Sequence, residues 1–275
     1  MSPPLPSFSS PPVTEVVIAS RFRPPSNYSL VTLGELARTL GAEGFPRIEE
    51  MPGYDATAEQ FGSVQTQGLM SFEFLSGPPP TRYWFLNDVG DELLQLQPNW
   101  FAANWRKVEP SATYGRWDSR WEAFSRWIQE TERTISGSPL EHDQVEVTYV
   151  NHIDSGQIWN HHGEAHQVFS FLAGRPSWTV GFLPTAEGAS AEMKFEIPGG
   201  EVSAPIGRLQ VTVTPAFRRP GGAPIFVMNL TARGRPVSAD LEGVRGFAEI
   251  AHEWIVRGFA DLTTSSMHEI WDRTT

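Results

Sequence analysis

Four of the seven histidines of this chain fall within fifteen residues, as His152, His161, His162 and His166, and Glu164 stands among the last three. Neutral imidazoles and a carboxylate are the ligands of Zn, Fe or Mn, so a loop that folded these five side chains together, with Asp154 beside them, would make a metal-dependent enzyme. Their spacing follows no standard metal motif, and the same residues also read as a solvated polar loop between strands. A second His-Glu pair, His252-Glu253, lacks the histidine that a zinc-protease helix needs four residues after the first, because position 256 is Val. It reads as part of the architecture of a helix.

A different set of polar residues falls on segments that read as strands: Gln95, Gln97, Asn104, Trp105 and Arg106, then Glu146, Tyr149 and Asn151. Alternate side chains of a strand share a face. Gln95, Gln97, Arg106 and Glu146 could therefore line one face, with Trp100, Trp105 and Tyr149 as walls of a pocket for a small molecule or nucleotide. The competing expectation is that these groups pair within the sheet. A buried Arg106 needs a carboxylate partner, and Glu146 or Asp154 is the nearest in sequence.

The remaining chemistry is bounded by what is missing. The chain has no cysteine, hence no thiolate and no disulfide, and no GxxxxGK[ST], GxGxxG or GxSxG segment. Its net charge of −11 opposes a phosphate backbone, so nucleic acid is not an expected partner. Apolar runs are too short to cross a bilayer, and residues 1–12 carry neither a basic start nor an apolar run of signal-peptide type, so a cytoplasmic chain without a membrane association is expected. With 275 residues, 40% hydrophobic and 12% aromatic, the chain can bury a sizeable core.

The elements that must position these residues follow from periodicity. Residues 1–12, rich in Pro and Ser, are expected to be a disordered, solvated arm. Strands are expected at Val16–Ala19, Ser71–Leu75, Tyr83–Leu86, Leu93–Gln97, Trp100–Lys107 and Val145–Ile153, with Pro98 at a bulge or edge and a turn at Asp88–Gly90. Thr32 and Glu35 have capping-box spacing for a first helix. Trp117, Trp121, Phe124, Trp127 and Ile128 recur at helical spacing and predict a helix of about 20 residues with an aromatic buried face. Further strands are expected at Val168–Leu172, Trp178–Leu183, Glu192–Ile197, Leu209–Pro215 and Ile225–Thr231. A long helix opens at Asp240, and a short one is capped by Ser266 and Glu269.

Strands segregated from helices and joined by short turns predict an α+β fold: a largely antiparallel sheet with helices on one face, in two intimately packed halves. The halves are placed at residues 13–155 and 156–275, as one structural unit.

Several segments resemble a sporadically distributed prokaryotic family of unassigned function: Pro11 to Val17, Phe45 to Glu50, Leu94-Gln-Leu-Gln97 with Asn104-Trp-Arg-Lys107, Glu146 to Ile153, and the helices bearing His252-Glu-Trp254 and Met267 to Trp271. The resemblance spans nearly the whole chain, brings no catalytic residues with it, and implies accessory, mobile-element or defence-type gene settings. Together these readings lead to a soluble, non-catalytic binding module that recognises a protein partner, as an antitoxin, immunity or defence accessory component, without a resident cofactor. A metal-dependent enzyme built on His152 and the His161–His166 loop, and a sensor with its site on the central sheet, are the alternatives.

Overall fold

The computed structural model describes residues 4–54, 59, 81–109, 112, 114–173, 182–184, 186–199 and 202–275. The elements run β1 (Val13–Phe22), α1 (Leu30–Ala42), β2 (Arg47–Pro52), β3 (Thr81–Leu86), β4 (Glu92–Gln97), β5 (Trp100–Arg106), α2 (Trp117–Thr131), β6 (His142–Asp154), α3 (Ala165–Val168), β7 (Ala191–Gly199), β8 (Val202–Phe217), β9 (Pro224–Gly234), α4 (Leu241–Leu262) and α5 (Ser265–Ile270). The fold is α+β, a nine-stranded antiparallel sheet in the order β2-β3-β4-β5-β1-β6-β9-β8-β7. No helix among the described residues is long and apolar enough to cross a membrane.

Two copies of one plan make this sheet. In each, a strand is followed by a helix, then by a meander whose last strand folds back on the first, then by a long helix: β5 returns to β1 ahead of α2, and β9 returns to β6 ahead of α4. The plans join where β1 and β6 pair antiparallel, from Val13 opposite Asn151 to Phe22 opposite His142. The repeat boundary therefore lies between α2 and β6, ahead of residue 155 where the sequence placed it.

Alternation along each strand sorts the two faces. Val16, Ile18, Phe101, Val147, Val211 and Phe226 point to the face covered by α2 and α4 and are almost completely buried. Each such side chain contributes on the order of 1.5–3 kcal/mol by leaving water. α2 begins at Trp117 and runs into a π-helical turn at Glu132–Ser136, so the expected helix of about 20 residues is present, ending at Gly137 in the left-handed region (φ 69°). α4 starts at Asp240, whose carboxylate accepts from the Gly243 N–H at 2.9 Å. It reaches the sheet through a device the sequence hid. Gly207 and Gly234 are opposite each other on β8 and β9, and the ring of Phe247 occupies the space their side chains would take. A Cβ on Gly207 would lie 2.7 Å from that ring, and one on Gly234 would be closer still.

The other face carries charge held in place by pairing. The Arg233 guanidinium donates to Glu146 at 2.6 Å through Nε, and Glu59 pairs with Arg208 and lies 4.0 Å from Arg233. The Glu59 N–H also donates to Gln144 Oε1 at 2.8 Å, and Gln97 exchanges two hydrogen bonds with the backbone of Tyr54. Residues 54 and 59 thus lie across the sheet, with Tyr54 against Trp100.

Several expectations need correction. The arm, though solvent-facing, is docked from residue 4 onward: Phe8 packs edge-on against Phe259 and Trp271, Ser9 and Ser10 donate to the carbonyls of Asp272 and Trp271, and Thr274 donates to Ser7. A Pro/Ser composition disfavours regular structure, yet Phe8 gives this segment an anchor. Val168–Leu172 is α3 and a 3-10 turn, with only Phe169 making a strand-type bridge, to Thr263. α1 is capped by Ser29 with Thr32, one turn before the Thr32–Glu35 pair, and α5 is capped by Thr264 rather than Ser266. Pro98 sits in the two-residue turn between β4 and β5, not at a bulge. The strand expected at Ser71–Leu75 lies outside the described residues, as does most of Trp178–Leu183.

Replacing Gly234 with Ala is expected to cost about 1–3 kcal/mol through overpacking against Phe247. Combining it with Phe247→Leu should restore part of that loss, because the two positions share one space. Thermal melts of the three variants check this, and a Gly234→Ala protein as stable as the parent would contradict the packing described.

Candidate functional site

The strand residues marked by the sequence divide between the two faces. Gln95, Gln97, Asn104, Arg106 and Glu146 lie on the polar face, whereas Trp105, Tyr149 and Asn151 lie beneath the helices. On the polar face most of these groups bond to one another or to the backbone, while Gln95 Oε1 and Arg106 Nε are buried without a partner. Gln95 donates to Asn104 at 2.8 Å, Asn104 donates to Glu15 at 2.7 Å, and Glu146 is engaged by Arg233. Arg106 finds neither Glu146 nor Asp154; its Nη2 donates to the Gly90 carbonyl at 2.9 Å and its guanidinium lies over the Trp84 ring at 6.0 Å. Of the three walls foreseen for a pocket here, only Trp100 is on this face.

The histidine group does not converge. Among the described residues no three His, Asp or Glu side chains gather in the way a metal ion requires. His162 is buried, with Nε2 at 3.0 Å from the Ala216 carbonyl and 3.1 Å from that of Ile225. Two acceptors make that nitrogen an N–H donor, which leaves Nδ1 as the ring nitrogen with a free lone pair. Glu164 accepts from the Asn160 and His161 N–H groups, which holds its carboxyl below the usual range, and its other oxygen lies 3.4 Å from the exposed His161. His152 projects from β6 onto the polar face.

One constellation has the outline of a catalytic relay. Ser20 Oγ is 2.9 Å from His142 Nδ1, and His142 Nε2 is 3.5 Å from Glu132 Oε1. The Ser20 hydroxyl also lies 3.0 Å from the Gln144 carbonyl, an acceptor that competes with the imidazole for its one proton. Ser20 is also only 1% exposed. The three groups tie the turn after α2 to the sheet.

A cleft opens on the helix face, above the seam between the two halves. It has a volume of about 940 Å³ and lies between the start of α2 and the middle of α4. Its floor is Tyr149 and Asn151 of β6, and the arm, residues 5–11, is its far wall. Sequence periodicity accounts for what reaches it. Trp117 opens the aromatic stripe of α2, and His252 borders the apolar stripe of α4 formed by Ala248, Ala251 and Ile255. Their rings stack across the gap between the helices, with centroids 4.4 Å apart and planes 3° from parallel. Tyr114 and Tyr149 share a hydrogen bond of 2.6 Å between their phenols, and the Tyr149 ring lies 6.0 Å from that of His252.

Burial sets the protonation of these groups. It drives the His252 pKa down to about 4, although Asp118, Glu249 and Glu253 pull the other way. Burial pushes Tyr114 up to about 12, and raises Tyr149 well above the phenol range with help from Tyr114 itself. At neutral pH the interior of the cleft therefore presents an uncharged imidazole, two un-ionised phenols and one amide, while Lys107, Arg116, Asp118, Glu249 and Glu253 also contribute to its lining. Proton transfer is fastest when the pKa of acid and base lies near the ambient pH. These groups are displaced from neutrality in both directions, which suits hydrogen bonding to a ligand better than acid–base work.

Sequence reading selected Tyr149 and Asn151 but assigned them to a sheet pocket, and it assigned His252 to the helix framework. The signal for His252 was its place beside a core stripe. Its partner Trp117 lies on the other half, a relation that no local pattern encodes. Compared with protein-family models, curated proteins and solved structures, the chain matches none.

A histidine held neutral by burial stabilises the fold only where the unfolded chain does not gain a proton. Between pH 6.5 and about 4 the unfolded chain binds that proton and the folded one does not, so stability falls as the pH drops through this window. The effect is on the order of 2 kcal/mol. Removing the group in His252→Gln should flatten this part of the profile, and the difference between the two proteins in urea melts at pH 4.5 and 7.5 isolates it from His152 and His268, which shift in the same direction. An NMR titration placing His252 near 6.5 would refute the reading.

Proposed function

We propose that this chain is a non-catalytic binding module that recognises a protein partner by seating a short segment of it in the cleft between α2 and α4. The observation that carries the reading is that the cleft already has a proline-containing stretch of polypeptide along one wall, residues 5–11 of the chain itself, outside any helix or strand. That stretch is held by backbone hydrogen bonds to the C-terminal residues and by the Phe8 side chain. A surface that already seats one segment of polypeptide through an aromatic anchor combines apolar contact with hydrogen-bonding groups, as peptide recognition does. The volume and mixed lining of the cleft suit a few side chains of a ligand. The protonation states argue in the same direction, away from chemistry at neutral pH. The acidic surface and the family resemblance fit an accessory component, of antitoxin, immunity or defence type, made alongside the protein it binds.

A photoreactive amino acid placed at Val256, on the cleft, tests this in cells that make the protein naturally. One crosslinked partner is expected, with its yield reduced about thirty-fold by Trp117→Ala or His252→Ala, the scale of losing an aromatic anchor. The same probe at Thr214, on the opposite face of the sheet, should capture nothing. No partner at Val256, or equal capture from Thr214, would overturn the proposal.

A further inference from the structure

The sheet ends at β7 in an open edge. This strand has nine residues and is paired on one side only, from Ala191 opposite Val213 of β8. Among the described residues nothing hydrogen-bonds the backbone on its outer side. A strand edge of this length is a template for another strand. Alternation gives it two different faces. Glu192, Lys194 and Glu196 point to the polar face, with Lys194 3.2 Å from Glu192. Met193, Phe195 and Ile197 point to the helix face, beside Val211, Leu209 and Gly207. α4 lies over β6 and β9 and touches β8, and Phe195 beyond it remains 39% exposed.

The order of these side chains makes the edge complementary to itself. Two copies related by a twofold axis perpendicular to the sheet pair antiparallel with their faces matched. With Phe195 on the axis, Lys194 of each copy stands opposite Glu196 of the other, Met193 opposite Ile197, and the two Phe195 rings meet. Opposite charges and paired aromatic rings across strands are favourable. That register uses the whole strand, from Ala191 opposite Gly199, and the bulges between Ile197 and Gly199 leave its central pairs the tightest. An axis at Lys194 would set lysine against lysine and Glu192 against Glu196, and one at Met193 would pair Ala191–Phe195 alone. The opposite edge of the sheet, β2, has six residues, with Pro46 before it and Pro52 at its end, neither of which has an N–H to donate.

We infer that β7 is a dimerisation edge, on which a second copy of this chain lays its own β7 antiparallel in the register centred on Phe195, so that one sheet runs through both molecules. Main-chain hydrogen bonds supply the affinity, and the Lys194–Glu196 pairs select the register. Screening over about 8 Å at physiological salt weakens the repulsion between two copies of charge −11. β7 is separated from β6 by β9 and β8, so the pairing leaves the cleft open, and the axis sets both clefts on the same side of the joined sheet. The inference is independent of what the cleft binds.

Sedimentation equilibrium of the full-length protein from about 1 to 200 μM, in about 0.15 M salt, tests it. A monomer–dimer equilibrium is expected. Lys194→Glu sets like charges opposite each other twice across the axis and should weaken association about tenfold. Lys194→Glu/Glu196→Lys rebuilds both pairs in reverse and should recover it, with thermal melts showing that both variants stay folded. Amide exchange in β7 should slow as concentration rises in the parent and in the double variant. A protein that stays monomeric over this range, or a dimer indifferent to Lys194→Glu, overturns the inference. So does failure of the double exchange to restore association, since the self-paired register requires it.

Discussion

The antiparallel pairing of β1 with β6 is the constraint on which the rest of the molecule depends. Each half, taken alone, would end in a strand with one free edge, and a row of unpaired backbone groups in an apolar surrounding is costly. Joining the two first strands removes both edges at once and makes one continuous sheet. It also fixes the helices: because each plan places its long helix on the same face, α2 and α4 must meet above the seam. The cleft is the gap left between two helices that belong to different halves, and Trp117 and His252 face each other across it for that reason.

The two faces of the sheet solve the burial problem differently. Beneath the helices, packing is aliphatic and aromatic, down to paired glycines that admit Phe247. On the other face, Glu146, Arg233, Arg208 and Glu59 are half to fully buried and compensate one another, Gln95 donates to Asn104, and Gln97 bonds the backbone of Tyr54. Breaking one member of such a network leaves a charge without a partner in a poorly solvated place, which is more damaging than never having had the network. The polar residues that attracted notice in the sequence thus serve the architecture of this face.

Much of the fold was legible. Alternation in Val145–Ile153 and the helical spacing from Trp117 to Ile128 specified a long strand and a long helix, and turn-rich links specified antiparallel neighbours. What was not legible depends on contacts between distant positions. The arm reads as disordered until Phe8 meets Phe259 and Trp271, some 250 residues later. Val168–Leu172 has a strand-like composition but is drawn into short helical turns where it meets α5. For the site, the sequence could offer residues with suitable chemistry but not the face each would take: Tyr149 and Asn151 were grouped with Gln95 and Glu146, and the register of β6 sends them to opposite sides. His252 and Trp117 were each recognised as helical and aromatic-rich surroundings, and their meeting required the seam.

The stacking of Trp117 on His252 also gives the molecule an optical gauge of its own. An indole in van der Waals contact with an imidazole emits differently from one facing solvent or a new neighbour, and this pair spans the junction between the two halves. Any event that wedges α2 away from α4, whether the arrival of another chain or a loosening of the junction, would change the light from that one ring among ten tryptophans.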